Sequence, residues 1–152
     1  MSTPTLDRLT ADLTTAMKAR DAARTSVLRQ VIAAVRAEEK SGPTVKELSE
    51  QDVLAVLNRE VKKRRESAQI YTEAGAADRA ANETAEADAI EEYLPARLSD
   101  EELQALVAAV VADTGASSMK DMGAVMKEAT ARAGLSADGK KLSTLVRAAL
   151  SA

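Results

Sequence analysis

The sequence predicts an all-α protein, with an N-terminal helical domain of about four helices and a C-terminal three-helix domain. Three observations carry this expectation. Of 152 residues, 45% are apolar, yet Phe and Trp are absent and Tyr71 and Tyr93 are the only aromatics. Ala, Leu, Val and Met must therefore build the core. Ala, Leu and Met are strong helix formers, and strands favour the aromatic and β-branched types. Apolar residues also recur at three- and four-residue steps along most of the chain, and Gly, Pro and Ser fall between those segments.

Leu6, Leu9, Leu13 and Met17 mark one face of a first helix, with Pro4 suited to its first turn. A second face is formed by Val27, Leu28, Val31, Ile32 and Val35, with Arg24, Arg29 and Arg36 turned elsewhere, and Ser41-Gly42-Pro43 ends it. Ser49, with Asp52 three residues on, caps a long third helix bearing Leu54, Leu57, Val61 and Ala68 and ending near Gly75. An Ala-rich fourth helix runs to about Tyr93.

Pro95 interrupts the pattern within Tyr93-Leu94-Pro95-Ala96-Arg97-Leu98-Ser99, so the boundary is placed between residues 1–95 and 96–152. Ser99 and Glu102 form a capping-box pattern ahead of Leu103, Leu106, Val107, Val110 and Val111, and Gly115 supplies the stop. Ser118 opens a helix carrying Met119, Met122, Val125, Met126 and Ala129, closed by Gly134. Leu142, Leu145, Val146 and Leu150 mark the last helix. A unit of roughly 50 residues is small enough to lean on a neighbour. Gly123 stands inside the Met119–Met126 segment, where Gly costs about 1 kcal/mol relative to Ala. A closely packed neighbouring helix is the expected reason, and backbone approach by a ligand is the alternative. The methionine stripe is expected in the core.

The chemistry available is narrow. There is no Cys and no His, which removes thiolates, disulfides and the commonest general base and zinc ligand. Neither Gly-x-Ser-x-Gly nor a phosphate-binding glycine loop occurs. A Ser/Lys pair could be drawn from Ser117 or Ser118 with Lys120, but Ser118 reads more simply as a cap. No catalytic residue, metal or cofactor is predicted. The N-terminal residues lack the charged-then-apolar order of a signal peptide, and no apolar run approaches the ~20 residues of a membrane span. A cytoplasmic protein is expected.

The formal charge is −3, so any nucleic-acid site must be a local patch. The sharpest patch is Arg59-Glu60-Val61-Lys62-Lys63-Arg64-Arg65. At 100° per residue, Arg59, Lys62, Lys63 and Glu66 point away from the Leu54/Leu57/Val61 stripe and form a solvated, mainly basic face able to meet phosphates. Arg64 and Arg65 lie nearer the edges of the stripe. Glu83, Glu86, Asp88, Glu91 and Glu92 of the fourth helix could pair with part of this run across a hairpin; otherwise they form a solvated acidic face.

In order, Arg59-Glu60-Val61-Lys62-Lys63-Arg64-Arg65-Glu66-Ser67, Tyr93-Leu94-Pro95, Leu98-Ser99-Asp100-Glu101-Glu102-Leu103, the segment from Gly115 to Met126, and Ala137-Asp138-Gly139-Lys140 resemble the YqeY-like family, also called the GatB/YqeY domain family. The resemblance runs from about residue 5 to the C-terminus. It implies that the C-terminal part is similar to the tail of the B subunit of the tRNA-dependent amidotransferase, a tRNA-handling module also appended to some glutaminyl-tRNA synthetases. Carried over by position, it implies RNA-facing roles for Lys120, Lys127, Lys140 and Lys141. One departure stands at Ala133-Gly134-Leu135-Ser136-Ala137-Asp138, where the family usually has a basic residue beside the glycine.

The function expected is a non-catalytic tRNA-binding accessory factor linked to tRNA-dependent amidation, with tRNA and an amidotransferase or aminoacyl-tRNA synthetase as partners. A protein-interaction adaptor is the alternative. The third reading is the carbon–nitrogen ligase activity, with glutamine as amide donor, that the family label carries.

Overall fold

The computed structural model describes residues 2–151. It is all-helical, with no strand among the described residues. Four helices come first: α1 (Pro4–Lys18), α2 (Ala22–Glu39), α3 (Glu50–Glu73) and α4 (Ala77–Glu91). Three follow: α5 (Asp100–Thr114), α6 (Met122–Ala133) and α7 (Gly139–Ser151), with 3-10 turns at Met119–Asp121 and Gly134–Ser136. The packing divides into two compact units, Met1–Leu94 and Pro95–Ala152.

Side-chain caps set the helix starts. Thr3 Oγ1 accepts from the Leu6 amide at 3.3 Å, and Asp21 Oδ1 from that of Arg24 at 3.1 Å. Ser49 and Asp52 cap α3 reciprocally, the Asp52 amide donating to Ser49 Oγ and the Ser49 amide to Asp52 Oδ2. Each bond satisfies an amide that the helix itself leaves without a partner.

Three of the helix ends share one arrangement. After α1, α3 and α5 the chain enters the left-handed region at Arg20 (φ 57°), Gly75 (φ 76°) and Gly115 (φ 68°). In each case that residue's amide and the next one bond back into the last turn, as in Arg20 N–H to Met17 O and Asp21 N–H to Ala16 O. This closure requires a positive φ, which glycine adopts without strain. Arg20 is the exception among the three.

The first unit is built on a core of Leu9, Val31, Val35, Val53, Leu57, Val61, Ala87 and Ile90. Each is essentially without solvent contact, and each large side chain contributes about 1.5–3 kcal/mol by leaving water. Helices α3 and α4 form an antiparallel hairpin around Gly75. Ala68, Ala80 and Ala87 are among its buried residues, and their small side chains let the two helices approach closely. In the second unit Leu103, Val107, Val110, Val125, Ala129, Leu142, Val146 and Leu150 make a separate core. The amide of Leu98, ahead of α5, donates to Ser136 O at 2.8 Å.

Three expectations are corrected. Met17 and Met119 are each 43% exposed, so neither belongs to the core, whereas Met122 and Met126 pack against it. Met17 sits in the last turn of α1, where Ala16 and not Met17 takes the buried position. Met119 belongs to a 3-10 turn, whose three-residue repeat takes it out of register with the α-helical stripe that begins at Met122. For the same reason Gly123 lies in the first turn of α6 and not in a helix interior. A Cβ placed there would meet no atom within 4 Å, so close helix packing does not explain it.

Candidate nucleic-acid interface

Helix α3 carries the basic run, and the α3–α4 hairpin splits it in two. On the α4 side, Arg64 is only 4% exposed. Its Nε donates to Glu86 Oε2 at 3.0 Å, its Nη1 to Glu60 Oε2 at 2.6 Å and its Nη2 to Gln30 Oε1 on α2 at 2.8 Å. Arg65 donates from Nη2 to Asp88 Oδ1 at 2.7 Å and to Glu91 Oε2 at 2.8 Å. Burial lowers the affinity of both guanidiniums for their protons, but the facing carboxylates outweigh it and raise both pKa values. Glu86, Asp88 and Glu91 are thus hairpin partners, as the pairing of the fourth helix with the basic run anticipates. Arg64 and Arg65 serve the fold.

Arg59, Lys62 and Lys63 fall on the solvent side of α3 and all are exposed. They differ in what holds them. Arg59 Nη2 lies 2.9 Å from Glu38 Oε2, and Lys46 Nζ lies 3.2 Å from the other oxygen of the same carboxylate. Those two hydrogen bonds, Lys46's first, hold the Glu38 carboxyl below its ordinary pKa. Lys63 Nζ is 3.0 Å from Glu60 Oε2. Burial pushes Glu60 up, yet the hydrogen bonds from Lys63 and Arg64 bring it below the usual carboxylate value. Lys62 has no ion-pair partner among the described residues.

The lysines of the second unit lie on three elements. Lys120 is in the 3-10 turn before α6, Lys127 on α6, and Lys140 and Lys141 in the first turn of α7. All four are exposed. Lys141 Nζ is 3.3 Å from Asp100 Oδ1 in the first turn of α5, whereas Lys120, Lys127 and Lys140 have no ion-pair partner among the described residues. At the start of α7 the Lys140 amide donates to Asp138 Oδ1 at 2.7 Å. That carboxylate occupies a position where a phosphate would otherwise meet the helix amides, so an anion here depends on the lysine side chains. Lys140 and Lys141 are neighbours in one turn of α7, and the 3-10 turn that carries Lys120 packs against α6 and α7.

Pattern reading passed over Arg20 and Arg29, which line a groove of about 610 Å³ at the α1–α2 corner. A signal was available in the composition. Asp21 is the only carboxylate in residues 13–37, a stretch that also contains Lys18, Arg20, Arg24, Arg29 and Arg36.

Fold and surface together define an all-helical protein whose distinguishing side chains are exposed cations. Among the described residues, no group of three or more Asp and Glu is placed to hold a metal, and no helix is long and apolar enough to cross a membrane. The YqeY-like protein family matches residues 6–150. This chain belongs to that family. None of the curated proteins compared with it matches.

Proposed function

We propose that this chain is a non-catalytic accessory protein that binds transfer RNA and works in connection with tRNA-dependent amidation. It would act in the cytoplasm beside an amidotransferase or an aminoacyl-tRNA synthetase, through two domains comprising residues 1–95 and 96–152. The supporting observation is the division of labour on α3. Glu86, Asp88 and Glu91 of α4 are taken up by Arg64 and Arg65, which leaves Lys62 without a carboxylate and Arg59 and Lys63 on the solvent face with one surface carboxylate each, Glu38 and Glu60. Cations crowded on one face repel one another and welcome an anion. Lys120, Lys127, Lys140 and Lys141 supply the second set of phosphate contacts, and the family's link to amidotransferase tails supplies the context.

The test is a titration of labelled bulk tRNA at two salt concentrations, with an unrelated RNA hairpin as control. Micromolar binding that favours tRNA and weakens steeply with salt is expected, because each neutralised phosphate releases counterions. Reversal of Arg59, Lys62 and Lys63 to Glu should abolish it. Binding absent even at low salt overturns the reading.

A protein-interaction adaptor is the second reading, favoured by the exposed apolar side chains of Met119 (43%) and Ile70 (65%). A pull-down that returns no stoichiometric protein counts against it. Glutamine-dependent amidation of misacylated tRNA by the purified chain would overturn the non-catalytic reading in favour of a carbon–nitrogen ligase.

A further inference from the structure

The groove at the α1–α2 corner is lined by Met17, Arg20, Thr25, Ser26, Arg29 and Gln30, together with Ala22. Its two guanidiniums have little to do within the fold. Arg20 has no ion-pair or hydrogen-bond partner for its side chain among the described residues. Arg29 donates from Nη2 to Met17 Sδ at 3.3 Å, a contact with a weak acceptor that leaves its other N–H groups to solvent. Elsewhere in this unit Arg24, Arg59, Arg64 and Arg65 have carboxylate partners, and Arg79 lies over the Tyr71 ring at 5.9 Å. The contrast is chemical: two arginines, no carboxylate accepting from either, and the hydroxyl-bearing Thr25 and Ser26 in the same lining.

The Ser26 hydroxyl is held by the fold. Buried Arg64 donates to Gln30 Oε1, which turns the Gln30 amide nitrogen toward Ser26, and Nε2 donates to Ser26 Oγ at 3.2 Å. Ser26 accepts there, so its own proton remains available to donate. The Asp21 carboxylate is engaged with the Arg24 amide as the helix cap. The chain also keeps Arg at position 20, in a left-handed conformation for which its other two helix ends of this kind use Gly.

We propose that this groove binds a phosphate group, with Arg20 and Arg29 as its charged ligands and the Ser26 hydroxyl as a neutral donor. Guanidinium forks match phosphate oxygens in geometry and charge. The group could be supplied by a polynucleotide backbone or by a small phosphorylated molecule, and both present the same oxygens. The site is independent of the lysine faces on α3 and in the second unit.

The experiment is a titration of the isotope-labelled full chain, followed by NMR at the arginine Nε–H and backbone resonances, with sodium chloride at matched ionic strength as control. Three probes are used: inorganic phosphate, uridine monophosphate and a short oligouridylate. Saturable shifts at Arg20, Arg29 and Ser26 are expected, with Arg29→Gln weakening them roughly tenfold through loss of a charge-assisted hydrogen bond. Arg20→Asn, which tolerates the left-handed backbone, should act in the same direction. Tightest binding by the oligouridylate identifies a backbone site, and by the monophosphate a small-molecule site. Shifts that never saturate, spread evenly over surface cations, or persist in both variants overturn the proposal. Because the readout is local, a failure here leaves tRNA binding by α3 standing, and the reverse also holds.

Discussion

Arg64 Nε on α3 lies 3.0 Å from Glu86 Oε2 on α4, and the same guanidinium reaches Gln30 on α2. One side chain therefore ties three helices, with only 4% of its surface exposed. Replacement by Leu would strand Glu86 without its cation and leave Glu60 only the exposed Lys63. Removing one partner of a buried ion pair is far more damaging than the pair's net worth suggests. Arg64→Leu is expected to lower unfolding free energy by about 3 kcal/mol in urea melts. Glu86→Gln keeps an acceptor facing Nε and should cost less. A loss below about 1 kcal/mol for Arg64→Leu would show that the network contributes little beyond packing.

Much of this fold could be read from spacing alone, and the failures have physical causes. Leu103, Val107 and Val110 repeat every three or four residues because one side of α5 is buried, and that period survives in any single sequence. Arg64 could not be placed in this way. Its position at the edge of the α3 stripe is set by the rotation of α3, but its burial depends on where α4 lies, which spacing within α3 does not encode. Apolar spacing runs straight through Met122, where a 3-10 turn and an α-helix abut, and so does not show that Gly123 falls in a helix's first turn. In the candidate site, the orientation of Arg59, Lys62 and Lys63 follows from 100° per residue. The partners of Arg59 do not, since Glu38 comes from another helix.

Tyr93, just beyond α4, offers a test of the first unit at high pH. Its hydroxyl donates to Asp12 Oδ2 on α1, Arg24 Nη2 lies 3.4 Å from the phenol oxygen, and the Arg8 guanidinium stacks 4.5 Å from the ring centre. Burial and then the Asp12 hydrogen bond push the phenol up to about 12 from 10.0, against the opposing pull of Arg24 and Arg8. The folded pKa exceeds the unfolded one. The stability that Tyr93 contributes is therefore fully present below about pH 10 and is lost as pH rises through about 12. In a Tyr71→Phe background, near-ultraviolet absorbance follows Tyr93 alone. Its midpoint should lie near 12 and fall in Asp12→Asn. An ionisation near 10 with the helical signal intact would contradict the buried hydrogen bond.

On the α3 face the three cations should not contribute equally to RNA binding. Lys62 is unencumbered, whereas Arg59 must first leave Glu38 at 2.9 Å. Lys62→Ala is expected to weaken tRNA binding more than Arg59→Ala and to reduce the salt slope by about 0.7–0.9. Glu38→Gln should strengthen binding by releasing Arg59 and removing a negative charge from the face. The opposite sign for Glu38→Gln, measured at the same salt, would remove Arg59 from the interface.

Arg20 brings the stability of the helix end and the proposed phosphate groove into opposition. A non-glycine residue in the left-handed region pays roughly 1 kcal/mol relative to glycine. The amides of Arg20 and Asp21 nonetheless close α1 as glycine does for α3 and α5. Arg20→Gly should therefore keep the closure and stabilise the first unit, by about 0.5 kcal/mol once the greater freedom of the unfolded chain is deducted. The same change removes one guanidinium from the groove, so phosphate binding should weaken as the melting temperature rises. Stability and binding moving in opposite directions in one variant would mark Arg20 as a residue held in place by its ligand. If Arg20→Gly destabilises the chain, the side chain supports the helix end, and its left-handed conformation says nothing of a ligand.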